Sequence, residues 1–317
     1  MHSTFGPRAR LALFVFAIAL GSIAATTAAA SSPTPLTVAY AGSMGAVMDQ
    51  GLGPGFDKAN DTRFQGIGQG AYGLARLLAA KQMRADVFVS ITPGPVEVLQ
   101  QAGLLAGVVP VASTQMVIAY SPRSRFAAKL KAAADGRQPW YQVLQAPGLR
   151  FGRTDPAVDP QGRNIVFCML LAQRYYRQPG LADRILGKVR NPRQIFAEPS
   201  LLSRLESGQV DASSAYLSAA VSHRLPYILL PDEINLSNPA MAARWYSRAK
   251  FSIAQPDGST DAFSVQPLVF YAGVLKNAAH PALARKFVQY LQSPAGQALL
   301  KRYGYGAPKG PPLEPAG

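Results

Sequence analysis

The sequence predicts an α/β fold, with mixed, mostly parallel sheets and helices packed on their faces. Three observations carry that expectation. Short apolar runs of strand length alternate with longer segments whose apolar residues recur at i, i+3, i+4 and i+7. Turns rich in glycine, serine and proline sit where the runs end, as in folds that alternate strand and helix. The length left after an N-terminal leader, 287 residues, is one at which a single core tends to divide into two lobes.

The leader comes first. Arg8 and Arg10 precede an apolar run from Leu11 to Ala25, and small residues follow as far as Ala28-Ala29-Ala30. That three-part layout is a secretory signal peptide over residues 1–30, cleaved near Ala30. The run is shorter than the ~20 residues a bilayer-spanning helix needs, and no later run approaches that length, so no stable membrane insertion is expected. The mature chain is expected to be a soluble exported protein.

The elements follow in order. Leu36 to Tyr40 is a short apolar strand. Gly73 to Met83 reads as a helix with Leu74, Leu77 and Leu78 on one face. Ala85 to Ser90 is the next strand, Pro95 to Gln101 a helix, and Gln115 to Tyr120 another strand. Ile165, Cys168, Met169 and Ala172 mark a helix with a buried stripe, which makes Cys168 a core residue. Pro226 to Leu230 and Pro267 to Ala272 read as strands. Leu283, Phe287, Tyr290 and Leu291 repeat the helical spacing, and Ser293-Pro294 supplies an N-cap and a first-turn proline for a last helix. The proline- and glycine-rich end, residues 308–317, reads as a loose tail.

Composition excludes several classes. Lys and Arg number 32 against 17 Asp and Glu; the leader takes two arginines, leaving 30 against 17, a formal charge of +13. Export and the scatter of the basic residues argue against nucleic acid as a partner and for a field that draws in small anions. One cysteine permits no internal disulfide. No H-x-x-x-H or C-x-x-C spacing offers a resident metal or other cofactor site, and no G-x-S-x-G elbow offers a nucleophile, so no enzyme is expected. Asp232 and Glu233 could form an acid/base pair but sit beside a proline as loop residues would.

Ligands in open α/β sheets bind beyond the carboxyl ends of strands, so three turns stand out. Ala41-Gly42-Ser43-Met44-Gly45 follows the first strand; the Ser43 hydroxyl can donate to an oxyanion, and can equally cap a helix. Gly66 to Gly73 holds four glycines in eight residues, read as a loop of exposed amides before a helix; without a following lysine it is no phosphate loop. Arg153 to Arg163 contains two Asp-Pro pairs ahead of the Ile165 helix, with Asp159 placed either as N-cap or as a carboxylate for a ligand.

Taken together, these segments resemble the periplasmic binding proteins of molybdate and tungstate ABC transporters, within the type II periplasmic solute-binding superfamily. The resemblance lies in Leu36–Met44, Leu74-Ala75-Arg76, Ala85–Ser90, Asp155–Gly162, Gly208–Ala212, Leu230–Leu236 and Lys286–Gly304. It implies two lobes joined by two crossing strands: residues 31–117 with 267–307, and residues 118–266. It implies a tetrahedral oxyanion held in the cleft and passed to a membrane permease in the periplasm, by a monomer that performs no chemistry and carries no cofactor. Ser43, with Gly42, matches the family's first hydroxyl ligand, Gly70 and Ala71 the second ligand turn, Asp159 the aspartate of the tungstate branch and Gln161 the neighbouring backbone donor. Tyr216 matches a tyrosine contact, although a core aromatic in a strand fits that position equally. The chain departs from the family in two places. Ala71 or Tyr72 stands where relatives place a second serine, and Ala215 where the tungstate branch places a glutamate. With one carboxylate gone, six-fold coordination of the metal is in doubt, which leaves a hydrogen-bonded tetrahedral anion as the expected ligand and sulfate, phosphate or a small organic anion as the alternative.

Overall fold

The computed structural model describes residues 32–157, 159–254 and 258–314. The leader over residues 1–30 and Val158, within the second Asp-Pro turn, lie outside the described residues. β1 (Thr34–Ala41) is apolar because both its faces are covered; Leu36, Val38, Ala39 and Tyr40 are at most 1% exposed. Tight helical turns over residues 42–52, including α1 (Gly45–Val47), lead into α2 (Gly53–Asn60). β2 (Thr62–Gln69) then runs parallel to β1, with Thr34 opposite Thr62 and Ala41 opposite Gln69. α3 (Ala71–Ala79), β3 (Val87–Ser90), α4 (Pro93–Gln101) and β4 (Val109–Ser113) complete the outward half of this lobe.

The chain crosses at residues 114–115 and opens a second sheet with β5 (Met116–Tyr120). α5 (Ala127–Ala134), α6 (Trp140–Val143), β6 (Phe151–Gly152), α7 (Pro160–Tyr175), α8 (Leu181–Leu186), α9 (Glu198–Ser207), β7 (Ala212–Tyr216), α10 (Leu217–Ser222) and β8 (Tyr227–Leu229) build the second lobe. A hairpin of β9 (Lys250–Ala254) and β10 (Thr260–Ser264) precedes β11 (Val269–Val274), which returns to the first sheet, and α11 (Pro281–Gln292) and α12 (Pro294–Arg302) close the chain. The five-stranded sheet has the order β2-β1-β3-β11-β4 and the four-stranded sheet the order β6-β7-β5-β8. The architecture is the expected two-lobed α/β one with mixed sheets, but three strand pairs in them are parallel and four antiparallel, so the sheets are not mostly parallel as expected. Antiparallel pairs enter where strands belong to the crossings: β11 runs against β3 and β4, and β5 against β7 and β8.

The two crossing segments bond to each other. Thr114 N donates to Leu268 O at 3.0 Å, and Leu268 N donates to Leu236 O at 2.8 Å. The hairpin is tied to the middle of α7 by Phe251, whose ring centroid lies 4.9 Å from that of Phe167. Around the far end of α7, Trp140, Tyr141, Tyr175, Tyr176 and Trp245 form an aromatic cluster with centroids 4.5–6.0 Å apart. Cys168 lies in the core as expected, its thiol donating to Ile234 O at 3.0 Å.

Two further expectations need correction. The glycine-rich stretch from Gly66 is a strand up to Gln69, and only Gly70 lies between it and α3. Its glycines make room for an aromatic ring. A Cβ at Gly68 would lie 2.6 Å from Tyr40 Cε2, and one at Gly66 would lie 2.9 Å from Tyr40 Oη, the hydroxyl that donates to Asp49 Oδ1 at 2.7 Å. Period-2 and period-3.6 patterns both fail there because a small-residue edge strand carries no apolar alternation. The described part of the tail, residues 308–314, is also not loose. Gly306 pairs with Ser113 and Leu313 with Val108, which lays residues 306–313 along β4.

Gly68→Ala is expected to lower stability by about 1–3 kcal/mol, because Tyr40 must shift and surrender its bond to Asp49. Gly73→Ala, where an added Cβ meets nothing within 4 Å, is expected to be neutral or stabilising by up to ~1 kcal/mol. Urea denaturation of both variants checks the pair, and an equal loss at the two sites would refute the packing role given to Gly68.

Candidate ligand-binding cleft

The sheet register brings two turns of the first lobe together. Because Ala41 sits opposite Gln69, the chain leaves β1 at Gly42-Ser43 beside the point where it leaves β2 at Gly70. The Ser43 hydroxyl oxygen is shielded from solvent and has no hydrogen-bond partner, while the Ser43 carbonyl accepts from Tyr305 Oη at 2.7 Å. An unsatisfied buried hydroxyl costs about 1–3 kcal/mol. Gly70 is the N-cap of α3 and has no side chain to satisfy the amides of the first turn, Ala71, Tyr72 and Gly73.

The opposite wall is the start of α7. Asp159 is the N-cap: its Oδ1 accepts from Gln161 N at 2.7 Å, and Pro160 occupies the first position. Gly162 allows the turn to press on the preceding loop, since a Cβ there would lie 2.5 Å from Thr154 O. Arg163 reaches back across the same loop, Nε to Pro156 O at 2.9 Å and Nη2 to Ala157 O at 3.0 Å, with its guanidinium 4.3 Å from the Phe263 ring centroid. Burial pushes the Asp159 carboxyl above its ordinary pKa, against the opposing pull of the Gln161 amide, Thr154, the Gly162 amide and the Arg163 charge. Thr154 Oγ1 makes no hydrogen bond of ordinary geometry, so its hold on Asp159 is the weaker kind.

Alternation along β7 decides what its residues face. Ser214 Oγ donates to Gln161 Oε1 at 3.2 Å, and Tyr216 Oη accepts from Asn164 Nδ2 at 3.1 Å, so both point at α7. Ala215 points the other way, into a small core with Val117, Leu201 and Leu205. Any side chain at that position would face away from the cleft.

Between the walls lies a cavity of about 470 Å³, lined by Gly70, Ala71, Tyr72, Gly73 and Arg76 of α3 and its cap, by Ile91, Thr92 and Pro95, by Pro160, Arg163, Asn164 and Phe167 of α7, by Tyr216, and by residues 262–264 and Gln266 beside the return crossing. Of the residues singled out from sequence, Gly70, Ala71, Tyr72 and Tyr216 line this cavity, with Arg163 from the end of the third turn. Gly42 and Ser43 adjoin Gly70 through the sheet and do not line it. Asp159 and Gln161 flank Pro160, but the Asp159 carboxylate is turned onto its own helix and the Gln161 side chain is buried against β7. The Gln161 amide is already taken by Asp159. Arg153 lies elsewhere, fully buried and bonded to Gln194 Oε1 and Lys188 O.

Sequence reasoning missed Asn164, Arg76, Phe263 and Gln266. For Asn164 a signal existed: Pro160, Arg163, Asn164 and Phe167 fall at i, i+3, i+4 and i+7, one face of a helix whose N-cap was legible. Phe263 comes from the hairpin and Gln266 from the return crossing, both a hundred residues away in sequence, which local patterning does not reach. Asp232 is structural, accepting from Asn235 Nδ2 at 3.1 Å and Asn238 Nδ2 at 3.0 Å. Among the described residues, no group of three or more His, Cys, Asp or Glu could hold a metal ion, and no helix is long and apolar enough to cross a membrane.

The family model described as bacterial extracellular solute-binding protein matches residues 36–306. An uncharacterized solute-binding protein of Petrotoga mobilis is 28% identical over 194 residues, 61% of this chain; the chain spans 59%, about three fifths, of that relative's length. A molybdate/tungstate-binding protein of Thermococcus kodakarensis is 28% identical over 293 residues, 84% of this chain and 80% of that protein. Among solved structures, the periplasmic molybdate-binding protein of Azotobacter vinelandii shares the fold with a TM-score of 0.61 at 17% identity, over 86% of this chain and 100% of that one.

The Asp159 cap has a pH signature. Its carboxyl pKa is raised in the folded state, so the stability it contributes is fully present below the unfolded value of 3.8 and is lost as pH rises through the folded one. Asp159→Asn keeps a capping oxygen and removes the titration, so the wild type should lose ground to this variant as pH rises from about 3.8 toward neutrality. Asp159→Ala should cost about 1 kcal/mol below pH 3.8, where the wild-type carboxyl is neutral, and less as pH rises. Denaturation midpoints across that range check both; a wild type that gains on the Asn variant as pH rises would invert the assignment.

Proposed function

We propose, from the premise that this chain belongs to the family of bacterial extracellular solute-binding proteins, that it captures a tetrahedral oxyanion of the molybdate and tungstate class in the interlobe cleft. The protein is a solute-binding protein and not an enzyme. Under this reading it works in the periplasm after losing residues 1–30, as a monomer, and hands its ligand to an ABC-transporter permease. The lobes divide near Val117 and Pro267.

One observation carries the proposal. The first turns of α3 and α7 line a single cavity from opposite lobes, with the tyrosine hydroxyls of Tyr72 and Tyr216 and the amide of Asn164 beside them. Helix N-termini favour anions through their unpaired amides and their dipoles; α3, which has no side-chain cap, offers both, while at α7 Asp159 takes the Gln161 amide and the side chains of Arg163 and Asn164 face the cavity instead. Charge-assisted hydrogen bonds contribute about 1.5–3 kcal/mol each. Five to seven of them, less desolvation of the ion and ordering of the lobes, reach the ~8 kcal/mol of a micromolar complex. The name of the Thermococcus relative supplies the anion class.

The cavity, at about 470 Å³, is larger than a tetrahedral oxyanion. The same spare volume favours the alternative, a small organic anion, over sulfate or phosphate.

A thermal-shift screen of molybdate, tungstate, sulfate, phosphate and small carboxylates tests the proposal. A ligand at a hundred times its Kd should stabilise by about 2.7 kcal/mol and raise Tm by about 5–10 °C. Molybdate and tungstate are expected to give the largest shifts, and Asp159→Asn is expected to bind them at least as tightly, because its lost charge repels a dianion. Shifts from carboxylates alone would move the assignment to an organic anion, and loss of molybdate binding in Asp159→Asn would make the carboxylate a ligand of the metal centre.

A further inference from the structure

We propose that Arg163, faced by Arg76 from the other lobe, is the charge-neutralising clamp of the cleft, and that the anion is held as a guanidinium-paired tetrahedron instead of being coordinated by carboxylates. This rests on the oxyanion reading given above.

The geometry of Arg163 supports that role. Its guanidinium is held on one edge by two backbone carbonyls, Pro156 O and Ala157 O, and on one face by the Phe263 ring. Two of its five N–H groups are engaged, which leaves three for a ligand. The side chain lines the cavity one helical turn beyond the capped start of α7, so its charge adds to the positive end of the helix. It is also ordered before any ligand arrives. The entropy that usually weakens a pairing with a long side chain has then already been spent on the fold.

Arg76 stands across the cavity in the last turn of α3 and is exposed at its rim. Three charges reach the Tyr72 hydroxyl, which is hydrogen-bonded to Gln266: the Glu97 carboxylate on one side and the Arg163 and Arg76 guanidiniums opposing it. The carboxylate nearest this wall, Asp159, is committed to the Gln161 amide, and position 215 faces the opposite side of β7. A dianion in the cleft meets two cations, with no available carboxylate from α7 or β7 and with Glu97 of α4 as the opposing charge. Charge-assisted, bidentate pairing of a planar guanidinium with two oxygens suits a tetrahedral oxyanion, and a lysine cannot reproduce it.

Isothermal titration with sodium molybdate, tungstate and sulfate would be run on the wild type, Arg163→Gln, Arg163→Lys and Arg76→Gln. Binding should weaken at least thirtyfold in Arg163→Gln, about tenfold in Arg163→Lys and three- to tenfold in Arg76→Gln, whose exposed site leaves the fold intact. X-ray absorption at the molybdenum edge of the wild-type complex should show four oxygens and the strong pre-edge feature of a tetrahedral centre. Because Arg163 also ties down residues 156–157, each variant's unfolding midpoint is measured alongside. A wild type that binds none of these ions overturns the oxyanion reading and this proposal together. A wild type that binds while both Arg163→Gln and Arg76→Gln stay within threefold of it overturns the clamp alone, as does a six-coordinate molybdenum.

Discussion

The start of α7 is the fixed point around which the cleft is organised. Within five residues, Asp159 satisfies an amide, Pro160 needs none satisfied, Gly162 admits a carbonyl at close range and Arg163 grips the loop that led into the turn. Each contact is local and modest. Together they fix the direction of a helix whose buried stripe then meets β7, and the cavity side of that helix follows from the same rotation. A surface assembled this way is ready before a ligand arrives, and readiness of that kind separates tight anion sites from merely basic ones.

The other wall is placed by sheet register. β1 and β2 end level with each other, so the turns after them emerge side by side. What relates the two walls is the paired crossing, where Thr114 and Leu268 hydrogen-bond and Leu236 joins them.

The fold was legible wherever burial on both faces made a strand continuously apolar. β3, β5 and β11 were found within two or three residues for that reason. The helices with good caps, Asp159 before α7 and Ser293 before α12, were found as well. β2 was not, because its Gly66 and Gly68 serve the Tyr40 ring and carry no alternation. The site was legible by halves. Turns after strands announce themselves through glycine and capping residues. Arg76 and Gln266 do not, since their place in the cleft depends on a helix facing and on a crossing that no local pattern encodes. Asp159 shows the limit in another way: one residue type serves as cap and as ligand, and only the 2.7 Å contact to Gln161 N reveals which role the unliganded chain has given it.

The aromatic cluster at the far end of α7 has an optical consequence. The chain has two tryptophans, Trp140 and Trp245, and both belong to that cluster. α7 has 16 residues, so its capped start lies about 24 Å from the rings near its end. Indole emission therefore views the second lobe only and has no direct sight of whatever enters the cleft. Quenching or a spectral shift on adding an anion would be a remote signal carried along a rigid rod, and the absence of one would say nothing about occupancy.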